Sequence, residues 1–127
     1  MPIDLFAPFT IGGLTLANCF MRSATHDRTA DASGAVTDAS LAIYDALGRG
    51  GIGLIVTGFA FISEAGQMGY GQYGAHTDAM LPGLRKLAKT AHQDNSKIAL
   101  QIVHSGININ PTLLREKGLS AMVVSRM

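Results

Sequence analysis

A chain of 127 residues can bury one core, and its 47% hydrophobic share against a charged share of 15% (about 25% is usual) suits parallel strands covered on both faces. A net charge of +1 with scattered Lys and Arg excludes a polyanion footprint, so no nucleic-acid partner is expected. The single cysteine, Cys19, excludes an intramolecular disulfide framework and a cysteine zinc cage, and points to a reducing compartment.

In chain order, Phe9-Thr10-Ile11 and Leu14-Thr15-Leu16 flank Gly12-Gly13, which reads as a small β-hairpin on a type I′ turn. Residues 20–25 form the first candidate core strand, followed by a polar loop over 26–36. Thr37 or Asp38 caps a helix with Leu41, Ile43, Tyr44 and Leu47 on one face, stopped by Gly48, Gly50 and Gly51. Residues 52–57 are short, apolar and β-branched, the clearest strand, which Gly58 ends. Residues 63–76 are glycine-rich and read as a functional loop. Thr77 or Asp78 starts a second helix, with Pro82 in its first turn and Leu84, Leu87, Ala88 and Ala91 on its buried face. Asn95 closes it, and residues 98–103 make a third strand. The parsing is a hairpin over 1–19, three βα-type units over 20–106 and an irregular tail over 107–127. Strands alternating with helices predict a parallel sheet with right-handed crossovers. Strand starts about 30 to 45 residues apart suit a barrel or a doubly wound sheet, and periodicity does not choose between them. Met1-Pro2-Ile3-Asp4 shows no secretory pattern, and no apolar run approaches the ~18 residues that span a bilayer. A cytoplasmic protein without a membrane partner is the expectation.

In parallel α/β folds ligands gather at the C-terminal ends of strands, here residues 23–26, 57–60 and 101–105. These positions offer hydroxyls and an amide rather than carboxylates, which suits a neutral heteroaromatic ring better than a metal. Gly58 reads either as a plain turn or as a place where a flat ring meets bare backbone. Gln101 reads either as a structural amide or as a ligand contact. His26, His76, His92 and His104 lack close metal spacing, so no metal is expected. His92 reads as a surface residue and Cys19 as a buried hydrophobe. Asp27, Asp31 and Asp38 read as loop and cap residues. Gly69-Tyr70-Gly71 opens no immediate helix, which rules out a dinucleotide phosphate loop.

Four segments carry a resemblance. Leu5-Phe6-Ala7-Pro8-Phe9 through Ala17-Asn18 resembles the opening of the old yellow enzyme family, whose hairpin plugs the bottom of the barrel. Met21-Arg22-Ser23-Ala24-Thr25 resembles the end of the first strand in the NADH:flavin oxidoreductase branch. Gly50-Gly51-Ile52-Gly53-Leu54 through Gly58 is similar to the second strand, and Leu100-Gln101-Ile102-Val103-His104-Ser105-Gly106 to the third. The resemblance implies the N-terminal part of a (β/α)8 TIM barrel that binds FMN. It implies hydride taken from NADH or NADPH and passed to a small-molecule acceptor such as an activated alkene or quinone. By position, Ser23, Ala24 and Thr25 would lie beside the flavin, Gly58 would place backbone near its reactive edge, and Gln101 would bond its pyrimidine ring. His26 falls where the family tunes the flavin potential, often with Thr or Cys. His104 would stand behind the cofactor contacts.

Cys19 stands where the family commonly has Arg, and so does Ile107. A whole barrel needs about 250 residues, so the substrate-holding His or Asn, the proton-donating Tyr and the phosphate-binding elements are expected beyond residue 127. The Ser120-Ala121 pair resembles a loop before the family's next element. The first reading is therefore a piece of a flavin reductase that is inactive by itself. The second is a stand-alone half-barrel binding module that self-associates through exposed strand edges. A different barrel enzyme acting on phosphorylated substrates is third.

Overall fold

The computed structural model describes residues 4–118. β1 (Phe9–Ile11) and β2 (Leu14–Leu16) form the antiparallel hairpin, with Phe9 opposite Leu16. Only Gly12 takes the left-handed conformation, at φ 56°. That sign pattern belongs to a type II′ rather than a type I′ turn, and both match the twist of the strands they join.

Three strands lie parallel in the order β3 (Met21–Arg22), β4 (Leu54–Val56), β7 (Lys97–Ala99), with Arg22 opposite Ile55 and Ile55 opposite Ile98. Asn18 fixes the entry of the first strand. Its Nδ2 donates to Gly51 O at 2.6 Å, while its Oδ1 accepts from Gly53 N at 3.0 Å and Phe20 N at 3.1 Å.

The second strand stops at Val56, just before Gly58, but the chain does not leave the sheet region there. The chain kinks through residues 57–59 and resumes as β5 (Ala60–Phe61). The third strand does the same and resumes as β8 (Ile102–Val103). β5 lies between β8 and β6 (Tyr73–Gly74), all parallel, as an upper tier on the lower sheet. The ladder survives the kink because a side chain replaces a backbone acceptor. Thr57 N donates to Ala99 O at 2.9 Å, Gln101 N donates to Thr57 Oγ1 at 3.1 Å, and Ala60 N donates to Gln101 O at 2.7 Å.

α1 (Asp38–Arg49) begins at a capping box between Thr37 and Ser40, and α2 (Leu81–Ala91) begins after a 3-10 turn at Asp78–Met80 with Pro82 in its first turn. The two helices pack closely: a Cβ on Gly48 would sit 3.1 Å from Ala91 O. Tyr44, Ile55, Ala60, Tyr73, Leu87 and Ala91 form the buried cluster between helices and strands. This is the βαβαβ order of a (β/α)8 barrel's first units, an open sheet rather than a closed ring. Met21 and Ile102 stand 59% and 61% exposed on it.

Three expectations are corrected. Cys19 is exposed rather than buried, because the turn after β2 points it outward while its amide bonds Leu5 O. The glycine-rich segment contributes β6 to the upper tier, since two residues are too few to show a period. Part of the tail expected to be irregular forms α3 (Pro111–Glu116), set by the Asn110 cap and Pro111. Ser120-Ala121 lies outside the described residues. Among those described, no helix is long and apolar enough to cross a membrane.

A Cβ on Gly53 would sit 2.5 Å from the Asn18 backbone oxygen. Gly53→Ala should therefore force the first two strands apart and cost about 1–3 kcal/mol, read as a lowered denaturation midpoint. An unchanged midpoint would contradict this account of the strand entry.

Candidate cofactor rim at the strand ends

Above the kinks, the ends of the three strands converge. Gly58 is buried, and a Cβ there would lie 2.8 Å from Thr25 O, so glycine is required by the approach of the first strand's end. This supports the plain packing reading of Gly58. Its N–H donates to the Tyr44 hydroxyl at 2.9 Å, and that hydroxyl donates to Asp27 Oδ2 at 3.3 Å. Asp27 Oδ1 also accepts from Thr29 Oγ1 at 3.4 Å. Thr29 Oγ1 in turn reaches the Tyr73 hydroxyl at 2.9 Å and Ser40 Oγ at 3.0 Å. Burial pushes the Tyr44 phenol far above its ordinary value, and burial raises Tyr73 as well. Both rings therefore remain neutral hydroxyls. Arg22 joins the same cluster, donating to Val56 O at 3.3 Å with its guanidinium 5.7 Å above the Tyr44 ring.

The residues expected to touch a ring distribute around this cluster. Ser23 and Thr25 are exposed at the end of the first strand, with Thr25 Oγ1 donating to Ser23 O at 3.3 Å, and Ala24 is half-buried between them. Gln101 is exposed. Its backbone is locked into the kink, while its side-chain amide has no partner among the described residues. His26 turns into the loop: its ring tilts against Phe59 at 4.9 Å, and its buried Nε2 has no partner among the described residues. Burial, and then the charge of Arg28, lowers its pKa from the usual 6.5. His104 packs its ring on Gly66, where a Cβ would come within 2.6 Å of Cδ2, and its Nδ1 accepts from Gly106 N at 3.2 Å. It therefore braces the turn at Glu64–Gly66, helped by Ser105 Oγ donating to Gly66 O at 2.7 Å. Among the described residues no cluster of His, Cys, Asp or Glu could hold a metal ion.

The sequence reading missed the Asp27–Tyr44–Gly58 relay. Tyr44 reads as one more apolar position on its helix face, and Asp27 as a loop residue. The available signal was the phenol itself, which when buried needs a partner. Asp31 is the loop residue expected, its Oδ1 accepting from Ser33 N, Ser33 Oγ and Ala35 N at 2.7–2.9 Å. His92 is exposed, as expected.

The model of the NADH:flavin oxidoreductase / NADH oxidase family matches residues 4–126. A metal reductase of Desulforamulus reducens is 36% identical over 102 residues, which are 80% of this chain and 15% of that protein. Among solved structures, Old Yellow Enzyme from Pichia sp. AKU4542 superposes at a TM-score of 0.84 with 25% identity, covering 92% of this chain and 30% of that one. A 2-naphthoyl-CoA reductase superposes at 0.82 with 28% identity, covering 91% and 17%. The chain thus spans less than a third of the length of each of these relatives.

Tyr44→Phe should leave the buried Gly58 N–H without its partner and cost about 1–3 kcal/mol. The Gly58 amide should also lose hydrogen-exchange protection, and retained protection would refute the relay. Because His26 titrates below its unfolded value, its contribution to stability is present above pH 6.5 and is lost as pH falls below it. Replacing His26 with Asn should flatten that part of the stability–pH curve, and an NMR titration should place the His26 midpoint below 6.5. A midpoint at or above 6.5 would refute it.

Proposed function

The chain belongs to the NADH:flavin oxidoreductase / NADH oxidase family, and from that premise we propose that it builds one side of an FMN site in a flavin-dependent reductase barrel. One observation carries this reading. The Gln101 amide stands exposed and unpartnered among the described residues on a backbone clamped at both sides, beside the end of the second strand. A primary amide offers a donor and an acceptor side by side, as a pyrimidine ring requires. Ser23 and Thr25 add exposed hydroxyls, and Ala24 a small wall. The Gly58 amide is committed to Tyr44, so Gly58 acts by letting Thr25 approach rather than by donating to the ring. These residues fit a neutral ring system.

Bound FMN would supply hydride-transfer chemistry, drawing on NADH or NADPH and serving a small-molecule acceptor such as an activated alkene or quinone. The chain's own part is to position the ring and hydrogen-bond its heteroatoms. His26 lies to one side, its ring against Phe59 and its Nε2 buried, and His104 holds the rim from behind. The reductases among the relatives support the reaction class. Turnover requires residues that these 127 do not contain, so the chain by itself is inactive, and its setting is cytoplasmic.

The exposed sheet face favours a second property. Met21, Leu100 and Ile102 are 59%, 41% and 61% exposed, which drives self-association through this face and its strand edges.

The test is a visible absorbance titration of the chain with FMN, followed by desalting. Flavin retained by the chain and weakened about tenfold by Gln101→Ala, the loss of roughly one hydrogen bond to the ring, is the expected result. A chain that ignores FMN while folding normally would overturn the cofactor assignment. NADH should not bleach flavin bound to the chain alone. Light scattering should report a mass above one chain, and a stable dilute monomer would contradict self-association.

A further inference from the structure

A cavity of about 570 Å³ opens beside the rim, between loops 26–32 and 68–71, and is lined by His26, Arg28, Asp31, Met68, Tyr70 and Asn110 among others. None of these, except His26, belongs to the expected ring site. Arg28 is exposed and makes no ion pair among the described residues. Its backbone is held in the left-handed region at φ 58°. Gly71, itself at φ 72°, presses against it, so that a Cβ there would lie 2.6 Å from Arg28 O, and Gly71 O accepts from Ala30 N at 3.1 Å. A non-glycine residue in that conformation is strained, and such residues cluster at ligand clamps and active sites. Glycine would suit this backbone better, so the arginine side chain retained there points to a role of its own.

The surrounding polar groups indicate what the side chain would meet. His26 Nε2 is buried without a partner among the described residues. Asn110 Oδ1 accepts from Thr112 N at 2.9 Å as the α3 cap, which leaves its Nδ2 available. Asp31 faces the same space, but Oδ1 of its carboxylate is engaged by its own turn at Ser33 and Ala35. The Tyr70 hydroxyl is taken by Glu116. What remains among the described residues is a guanidinium without an ion pair, sharing the cavity wall with the Asn110 amide, the His26 ring and the turn-bound Asp31 carboxylate; the guanidinium with the amide suits a planar or tetrahedral oxyanion.

We propose that this cavity binds the carboxylate or phosphate group of a small organic anion, held by Arg28 with His26 and Asn110 beside it. The assignment stands on the cavity and does not depend on flavin binding. It places an acidic group within reach of the rim, so a ligand carrying one would be anchored there while the rest of it extends toward the strand ends.

The test titrates isotope-labelled chain with inorganic phosphate and, separately, with acetate, at ionic strength held constant with chloride, following backbone amide shifts by NMR. Saturable shifts confined to residues 26–32, 68–71 and Asn110 are expected, weakened about tenfold or more in Arg28→Gln, the loss of a charge-assisted pair. Arg28→Gly should lose binding equally while melting no lower than the parent, because glycine relieves the left-handed backbone. A response to phosphate alone assigns a phosphate group, and a response to acetate assigns a carboxylate; either supports the site. No saturable shift with either anion, or shifts that persist in both Arg28 variants, would overturn it.

Discussion

The hydroxyl of Tyr44 is the point on which the strand ends depend. When the second strand kinks at Gly58 to change tier, its N–H leaves the ladder inside the core, where an unmatched donor costs about 1–3 kcal/mol. Tyr44 accepts a hydrogen bond from that N–H and donates its own O–H to Asp27 Oδ2. One phenol thereby ties α1, the kink of the second strand and the loop after the first strand. Against a total stability of about 5–15 kcal/mol for a whole domain, one buried donor left unmatched would be a substantial share. Tyr73 extends the same logic through Thr29 and Ser40, which anchors β6 and the start of α1.

The kinks themselves create the rim. A straight parallel strand would present its side chains alternately to core and helix layer, with no backbone turned toward a ligand. Breaking the ladder at residues 57–59 and 100–101, and repairing it with the Thr57 hydroxyl, leaves Gln101 on a rigid backbone with its amide outside the ladder. Gly58 and Thr25 close the adjacent gap at van der Waals contact. Precision at the rim therefore comes from hydrogen bonds and close approaches behind it.

The same architecture explains the open side. β3 and β7 each lack a neighbour on one side among the described residues, and the apolar residues near them stand exposed. In relatives more than three times as long, further strands stand in the same barrel. The loops around the cavity, by contrast, are held by their own contacts. Asp31 folds its own turn, Gly71 and Arg28 press together, and Asn110 caps α3 over the cavity.

The chain's periodicities were enough to determine the hairpin, both long helices and the three parallel strands, whereas the family was legible only in the particular residues of four segments that resemble it. Those features are local: a Gly-Gly between alternating runs, a Thr-x-x-Ser cap, an apolar β-branched run. The strand-end positions of Ser23, Thr25 and Gln101 were legible for the same reason. Tertiary structure alone decided the second tier, the outward turn of Cys19, the rotation of His26 into its loop and the role of Tyr44. In each case the deciding partner is distant in sequence or the element is two residues long. Gly58 and Tyr44 lie 14 positions apart, and Thr29 and Tyr73 lie 44 apart. A buried hydrogen bond across such a gap leaves no period in the chain, because its energy is realised only when both ends have already been folded together.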